Sequence, residues 1–209
     1  MSTTINYSYD YYLRNAYSSN LFARKAENRP TMKNKDLIQA DSDAVKKITE
    51  KLRDLEYSSD NASEILTNAK MFIETYNNLL ESTGNSDSDS INKIKSKMTQ
   101  LTKNNKEELE SLGITISASG KLSLDKSKFG ECSPAKIERF FGKDSDFMDT
   151  VRNFSIQAKR SARRQVEVQD EEIKQTNKMN STDLVTSEAE LLESLLAHPE
   201  TNGTFDAKG

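Results

Sequence analysis

Apolar residues recur at intervals of three and four positions through most of this chain, and this spacing limits its fold more than any other feature. Three successive segments carry the pattern, at residues 41–57, 61–82 and 90–111, and Asp41 or Ser42 is the expected cap of the first. Side chains at this spacing share one face of an α-helix, and that face must be buried against another surface. With 7 Gly and 3 Pro among 209 residues, few positions interrupt a helix. The pattern predicts a mainly α fold, an antiparallel helical bundle.

The second segment has the widest apolar face of the three. Its apolar positions are Ile65, Ala69, Phe72, Ile73, Tyr76, Leu79 and Leu80. The polar stretch "TGNSDSDS" comes next and favours a turn, so the third helix is expected to run back along the second. Asn105 occupies a position in this third segment where another apolar residue is expected. It either fixes the register of the seam or lies at its edge, facing water.

A single stretch, "LGITISASGKLSLDKSKF" at residues 112–129, departs from the helical spacing. Ile114 and Ile116 alternate with polar residues, Leu122 and Leu124 do the same, and a short loop containing Gly120 separates them. This alternation predicts a β-hairpin at residues 113–124. Because an isolated hairpin is marginal in water, we expect its apolar side chains to pack on the neighbouring helices.

Helix-capping residues organise the sequence after the hairpin. Asp125 is suited to cap a short helical turn carrying Phe129. In "SPAKIERFFG", Ser133 is the expected N-cap and Gly142 the stop, and Ser145 then opens a further helix. The apolar stripe of this last helix thins out beyond Ala158, so few residues beyond that position are expected to be buried.

Tyrosines are concentrated near the N-terminus. Apolar and aromatic residues recur there at helical spacing, namely Tyr9, Tyr12, Leu13, Ala16, Tyr17 and Leu21. Tyr9, Tyr12 and Tyr17 are candidate partner-binding residues, since Tyr suits an interface. The alternative is a helix that lies on its own domain. The predicted domain boundaries are a Tyr-rich helix and linker arm at 1–40, a helical domain at 41–165, and an exposed helix with an acidic, largely disordered tail at 166–209.

Within that tail, "SEAELLESLLAHPE" has the pattern of a short amphipathic helix. Ser187 and Glu190 have capping-box spacing. The apolar face consists of Leu191, Leu192, Leu195 and Leu196, which are candidate partner-binding residues. Such a helix either docks in a groove of a partner, folds back on its own body, or stays disordered.

Composition and motifs argue against an enzyme. Hydrophobic residues make up 34% of the chain, charged residues 30%, and the mean hydropathy is -0.79, which favours slender helical packing over a large core. There is no Gly-rich phosphate loop, no paired His and no nucleophile elbow, and Cys132 is far in sequence from His198. We therefore predict no catalytic residue, no metal, no cofactor and no small-molecule substrate.

Charge and hydropathy also limit the classes of partner that this chain is expected to have. A net charge of -3 gives no case for nucleic acid, and we interpret the basic stretch at residues 159–164 as a solvated helix face. No apolar run is long enough for a membrane span, and the start of the chain lacks a signal-peptide pattern. The expected location is cytoplasmic, or outside the cell by export without a cleaved signal.

The order of three motifs resembles the C-terminal region of the bacterial flagellar filament cap protein family, also called hook-associated protein 2. The motifs are "FIETYNNLLEST", "ELESLGITISASGKLSLDKSKF" and "FFGKDSDFMDTV". The positions that match are Phe72, Tyr76 and Asn77 in the first, Gly113, Ile114, Gly120, Leu122, Leu124 and Asp125 in the second, and Phe140 and Phe141 in the third. The resemblance covers about residues 41–158.

This resemblance implies that the hairpin is a corner piece on the antiparallel helices of a subunit leg. Legs of this kind stack into a ring at the filament tip, which implies protein partners, either copies of the chain itself or other flagellar components. The family's N-terminal helix and β-rich plate insertions are not recognisable here, so the resemblance implies a reduced relative. The alternative is a cytoplasmic adaptor or export chaperone that binds a partner through the leucine-rich tail helix.

Overall fold

The computed structural model describes residues 9–164 together with residues 171 and 174, and describes side chains from residue 13 onward. The helices are α1 (Tyr9–Ala16), α2 (Asn34–Arg53), α3 (Ala62–Gly84), α4 (Asp89–Asn104), α5 (Lys106–Ser111), α6 (Lys126–Gly130) and α7 (Pro134–Phe141). A last helix, α8, begins at residue 146 and is described to residue 164. The strands are β1 (Ile114–Ile116) and β2 (Leu122–Leu124), paired antiparallel. The predicted mainly α fold with a small hairpin is confirmed.

α2 and α3 form an antiparallel pair at the centre of the fold. An Asn34 side-chain N–H donates to the Asn85 carbonyl at 2.6 Å, which joins the start of α2 to the end of α3. At the other end, Lys51 and Glu64 form an ion pair at 3.2 Å. α3 also contacts α1, α4, α6 and β2. Its apolar positions are buried as the spacing predicts, with Phe72, Tyr76 and Leu79 fully enclosed.

α8 lies antiparallel along α2, held by three ion pairs. Asp43 pairs with Lys159, Glu50 with Arg152, and Arg53 with Asp149. Successive partners are seven and three residues apart on α2 and equally far apart in the reverse direction on α8, as two antiparallel helices require. Burial on α8 continues to Ala162, beyond the predicted limit at Ala158.

The largest differences from the predicted helix boundaries are at α2, which ends at Arg53 rather than at residue 57, and at Asn105. α2 begins at Asn34, seven positions before the expected start at residue 41, because Asp41 is not a cap but a buried partner of Arg29. The expected helix at 90–111 is divided into α4 and α5 at Asn105. The half-buried Asn105 side chain donates to the Leu101 carbonyl at 2.8 Å, so it is not enclosed in a seam.

The predicted caps after the hairpin are confirmed. The Asp125 carboxylate accepts hydrogen bonds from the amides of Ser127 and Lys128 at 3.0 and 3.2 Å. The Ser133 hydroxyl accepts from the Lys136 amide at the start of α7. The Ser145 hydroxyl accepts from the Met148 amide and donates to the Phe140 carbonyl, which ties α8 to the end of α7. These short helices therefore have defined starts.

Crossing a bilayer requires a helix that is both long and apolar. None of the helices described within residues 9–164 combines the two properties.

Candidate functional site

The hairpin is fixed to α3 by one side-chain amide. Asn77 donates to the Leu122 carbonyl at 2.8 Å and accepts from the Leu122 amide at 2.8 Å. A side-chain amide has the same donor and acceptor as a peptide group, so Asn77 pairs with β2 as a neighbouring strand would. Lys121 adds an ion pair to Glu81 of α3 at 2.8 Å, and the hydrogen bond from Lys121 lowers the pKa of Glu81. The corner between α3 and the hairpin is therefore held at two points.

Two glycines give the hairpin its close fit. Gly113 precedes β1 with φ +75°, and a Cβ there would lie 2.8 Å from the Cβ of Lys128. Gly120 closes the hairpin loop with φ +84°, and a Cβ there would lie 2.9 Å from the Thr99 hydroxyl. Left-handed backbone and close approach both require glycine at these two positions. The loop therefore lies directly on α4.

An aromatic cluster supports the corner from beneath. The Phe72 ring meets Phe141 edge-on at a centroid distance of 5.6 Å, and Phe140 packs on Phe147 at 4.6 Å. Tyr76 is buried in the same region, and its hydroxyl donates to the Met98 carbonyl at 3.0 Å. Burial raises the pKa of Tyr76. The cluster joins α3, α4, α7 and α8.

A groove of about 350 Å³ runs beside this corner, between α1, α3 and β2. Its apolar lining comes from Leu13, Met71, Ile73, Leu122 and Leu124, and its polar lining includes Lys70, Glu74, Asn77, Ser123 and Lys126. Burial and the nearby ammonium group of Lys126 lower the pKa of Lys70. The groove therefore combines an apolar lining with the neighbouring ammonium groups of Lys70 and Lys126.

A buried polar cluster lies where the N-terminal segment meets α2 and α3. Asp41, with no exposed surface, accepts two hydrogen bonds from Arg29, at 2.8 and 2.7 Å. Its Oδ1 also accepts from the Tyr17 hydroxyl at 2.8 Å, and that hydroxyl accepts from Asn78 at 2.8 Å. Burial and the Asp41 carboxylate raise the pKa of Tyr17. A bidentate Arg–carboxylate pair inside such a network compensates both charges.

Of the three tyrosines predicted to bind a partner, the structure describes the side chain of one, Tyr17. Tyr17 is fully buried in this cluster, which is the second of the two alternatives, a segment that lies on its own domain. Tyr9 and Tyr12 lie on α1, and their side chains are outside the described residues. The four leucines Leu191, Leu192, Leu195 and Leu196 are also outside the described residues.

Two exposed apolar side chains stand next to each other in the loop after α1. Leu21 is 44% exposed and Phe22 is 54% exposed. The helical spacing predicts Leu21 on the stripe of α1, but α1 ends at Ala16. Arg29 holds the loop by donating to the Ala23 carbonyl at 3.0 Å. Sequence spacing misses this pair because it does not reveal where a helix without a cap signal ends.

The described residues contain no set of three His, Cys, Asp or Glu side chains placed to hold a metal ion. Cys132 is half-buried, and its thiol lies 3.4 Å from the Lys128 carbonyl. Comparison with protein-family models, with curated proteins and with solved structures gives no match.

Proposed function

We propose that this chain is a structural, protein-binding component of flagellar assembly that works through helix packing and oligomerisation, like the helical leg of a filament cap subunit. The observation that carries the proposal is the corner between α3 and the hairpin. The residues behind the resemblance meet there, since Asn77 binds Leu122, Gly113 and Gly120 have positive φ, and Asp125 caps α6.

The electrostatics of the helices support the same proposal. Of the basic residues of α8, Arg152 and Lys159 pair with carboxylates of α2. The aromatic cluster holds α8 against α3 through Phe72 and Phe147. Ion pairs and packed aromatic rings make the helical body rigid, and a subunit that packs against its neighbours in an assembly requires a rigid body.

The test is an immunoblot of three fractions, namely cytosol, culture supernatant and sheared filaments. The cells compared carry this chain and either have or lack a working flagellar export apparatus. We expect the protein outside the cell or on filaments in an export-dependent manner, and larger than a monomer by sedimentation.

Protein confined to the cytosol of both strains would contradict the proposal and favour the adaptor alternative. In that case, changing Leu191, Leu192, Leu195 and Leu196 to Ala should abolish partner binding. A matched set of Ala changes at exposed α4 positions, such as Lys97 and Gln100, should leave binding intact.

A further inference from the structure

The outer edge of β2 has backbone groups directed away from β1. Backbone hydrogen bonds of 2.8 Å join Gly113 with Asp125 and Ser117 with Lys121. Bonded and non-bonded pairs alternate along an antiparallel ladder. The register therefore places Leu122 and Leu124 in non-bonded pairs, opposite Ile116 and Ile114. Their N–H and C=O groups point outward, toward α3 and the groove.

Only the first of these two residues has its outward groups satisfied by a described residue. Asn77 binds both groups of Leu122. Leu124, one step further along the same edge, lines the groove, and its outward groups have no hydrogen-bond partner among the described residues. An unpaired strand edge is a template for another strand. Asn77 therefore occupies the edge of β2 at Leu122, and a peptide can pair with the same edge at Leu124.

The charges around the groove indicate what kind of peptide fits. Lys70 and Lys126 both line it, and neither forms an ion pair with a carboxylate among the described residues. Glu74 lines the same groove, and none of the ion pairs within 4 Å among the described residues joins it to either lysine. Two neighbouring ammonium groups repel each other, so an acidic ligand is favoured there.

We propose that the groove binds an extended, acidic segment of a partner protein, which adds as a strand beside β2. Its backbone pairs with the outward groups of Leu124, an apolar side chain enters the groove, and its carboxylates lie near Lys70 and Lys126. This is β-strand addition, in which backbone bonds supply affinity and side-chain pockets supply selectivity. The inference rests on the groove alone and stands whether or not the flagellar proposal holds.

The test uses the full chain and three labelled hexapeptides, with binding measured by fluorescence anisotropy at low salt. One peptide alternates Glu and Val, a second alternates Lys and Val, and the third is the Glu–Val peptide with every internal amide N-methylated. We expect the Glu–Val peptide to bind at least tenfold more tightly than the other two. N-methylation removes the donors that a neighbouring strand requires, while side chains and charge stay the same.

Charge-swapped variants locate the binding site. In the double variant Lys70→Glu and Lys126→Glu, the preference should reverse, with the Lys–Val peptide now binding more tightly. The matched control changes Lys97 and Lys103 of α4, both exposed, to Glu, and it should keep the preference of the unchanged chain. Equal urea midpoints for the variants and the unchanged chain show that folding is retained.

Hydrogen exchange of a single backbone amide is a second test of the proposal. On addition of the Glu–Val peptide, exchange of the Leu124 amide should slow at least tenfold. The Thr115 amide is the control, because Thr115 already pairs with Ser123 inside the hairpin, and its exchange should change less than twofold.

Two results would overturn strand addition, namely equal binding of the methylated peptide and unchanged exchange of the Leu124 amide. Binding of a helical peptide spanning residues 187–200 in place of the Glu–Val peptide would also overturn it, and would assign the groove to an amphipathic helix.

Discussion

At the scale of single residues, Asn77 has the most specific role in the described structure. Its amide is half-buried on α3 and satisfies both backbone groups of Leu122. Neither a hydrophobic residue nor an ionised carboxylate has both the donor and the acceptor that this position uses. One side chain therefore determines how the hairpin sits on the helix.

The change Asn77→Ala tests this role. It removes two hydrogen bonds and leaves the Leu122 backbone groups without their partner, so we expect a loss of about 1–3 kcal/mol in the free energy of unfolding. Urea unfolding measures the loss, and hydrogen exchange of the Leu122 amide should accelerate. Asn104→Ala, an exposed change on α4, should stay within about 0.5 kcal/mol of the unchanged chain. Equal stability of the two variants would contradict the assignment.

Sequence alone could not reveal the roles of Asn77 and Asp41. On a helix, both interrupt or flank an apolar stripe and resemble ordinary polar positions. The sequence pattern predicts Asp41 as a cap because Asp favours that position. Its partners, Arg29 and Tyr17, are 12 and 24 residues away, and no local pattern connects them. Long-range polar pairing depends on the packing of the whole chain.

At the scale of elements, the helices follow from apolar spacing, and three ion pairs match α8 to α2 in antiparallel register. The sequence predicts α3 and the caps of α6 and α7 because these signals lie within a few residues of each other. For the basic residues of α8 it indicates only a solvated face, since their acidic partners lie on α2. Arg152 and Glu50 are 102 residues apart in the chain.

The pH dependence of stability tests the two ion pairs of Glu50, one with Lys46 on α2 and one with Arg152 on α8. Although burial acts against it, hydrogen bonds from Lys46 and Arg152 lower the pKa of Glu50. Because the folded pKa is below the unfolded one, about 4.3, this stabilisation is complete above that pH and is lost as pH falls through the folded pKa. Glu50→Gln should therefore flatten the decline in the urea midpoint between about pH 5 and pH 3.

The size of this effect is limited by exposure. The Glu50 side chain is 39% exposed, so solvent screening holds the expected loss at pH 7 to about 1 kcal/mol or less. Glu56→Gln, at an exposed position without an ion pair among the described residues, should follow the profile of the unchanged chain. If E50Q also followed that profile, the two ion pairs of Glu50 would contribute nothing to acid stability.

At the scale of the whole molecule, the segment before α2 belongs to the same core as the bundle. Leu13, Ala16, Tyr17 and Ala23 are buried together with residues of α2 and α3. The predicted boundary at residue 40 falls inside α2, because the polar stretch that suggests a linker contains the buried partner Arg29. Composition indicates a linker only when its polar residues face solvent.

The change Arg29→Met tests how far this segment supports the fold. It leaves the buried Asp41 carboxylate without its main partner, so we expect a loss of about 3–5 kcal/mol in unfolding free energy. Adding Asp41→Leu should recover part of the loss, because the uncompensated charge is removed as well. Lys25→Met, at a surface ion pair, is the control and should cost less than about 1 kcal/mol. No recovery in the double variant would contradict the electrostatic explanation.

The antiparallel register of α2 and α8 also constrains the order in which this chain can fold. The Asp43–Lys159 pair spans 116 residues, and loop closure over such a separation makes contacts of this kind slow to form. A ribosome synthesises the chain from its N-terminus, so α2 and α3 emerge together and can associate early. The side of α2 that receives α8 stays open until about residue 160 has been made.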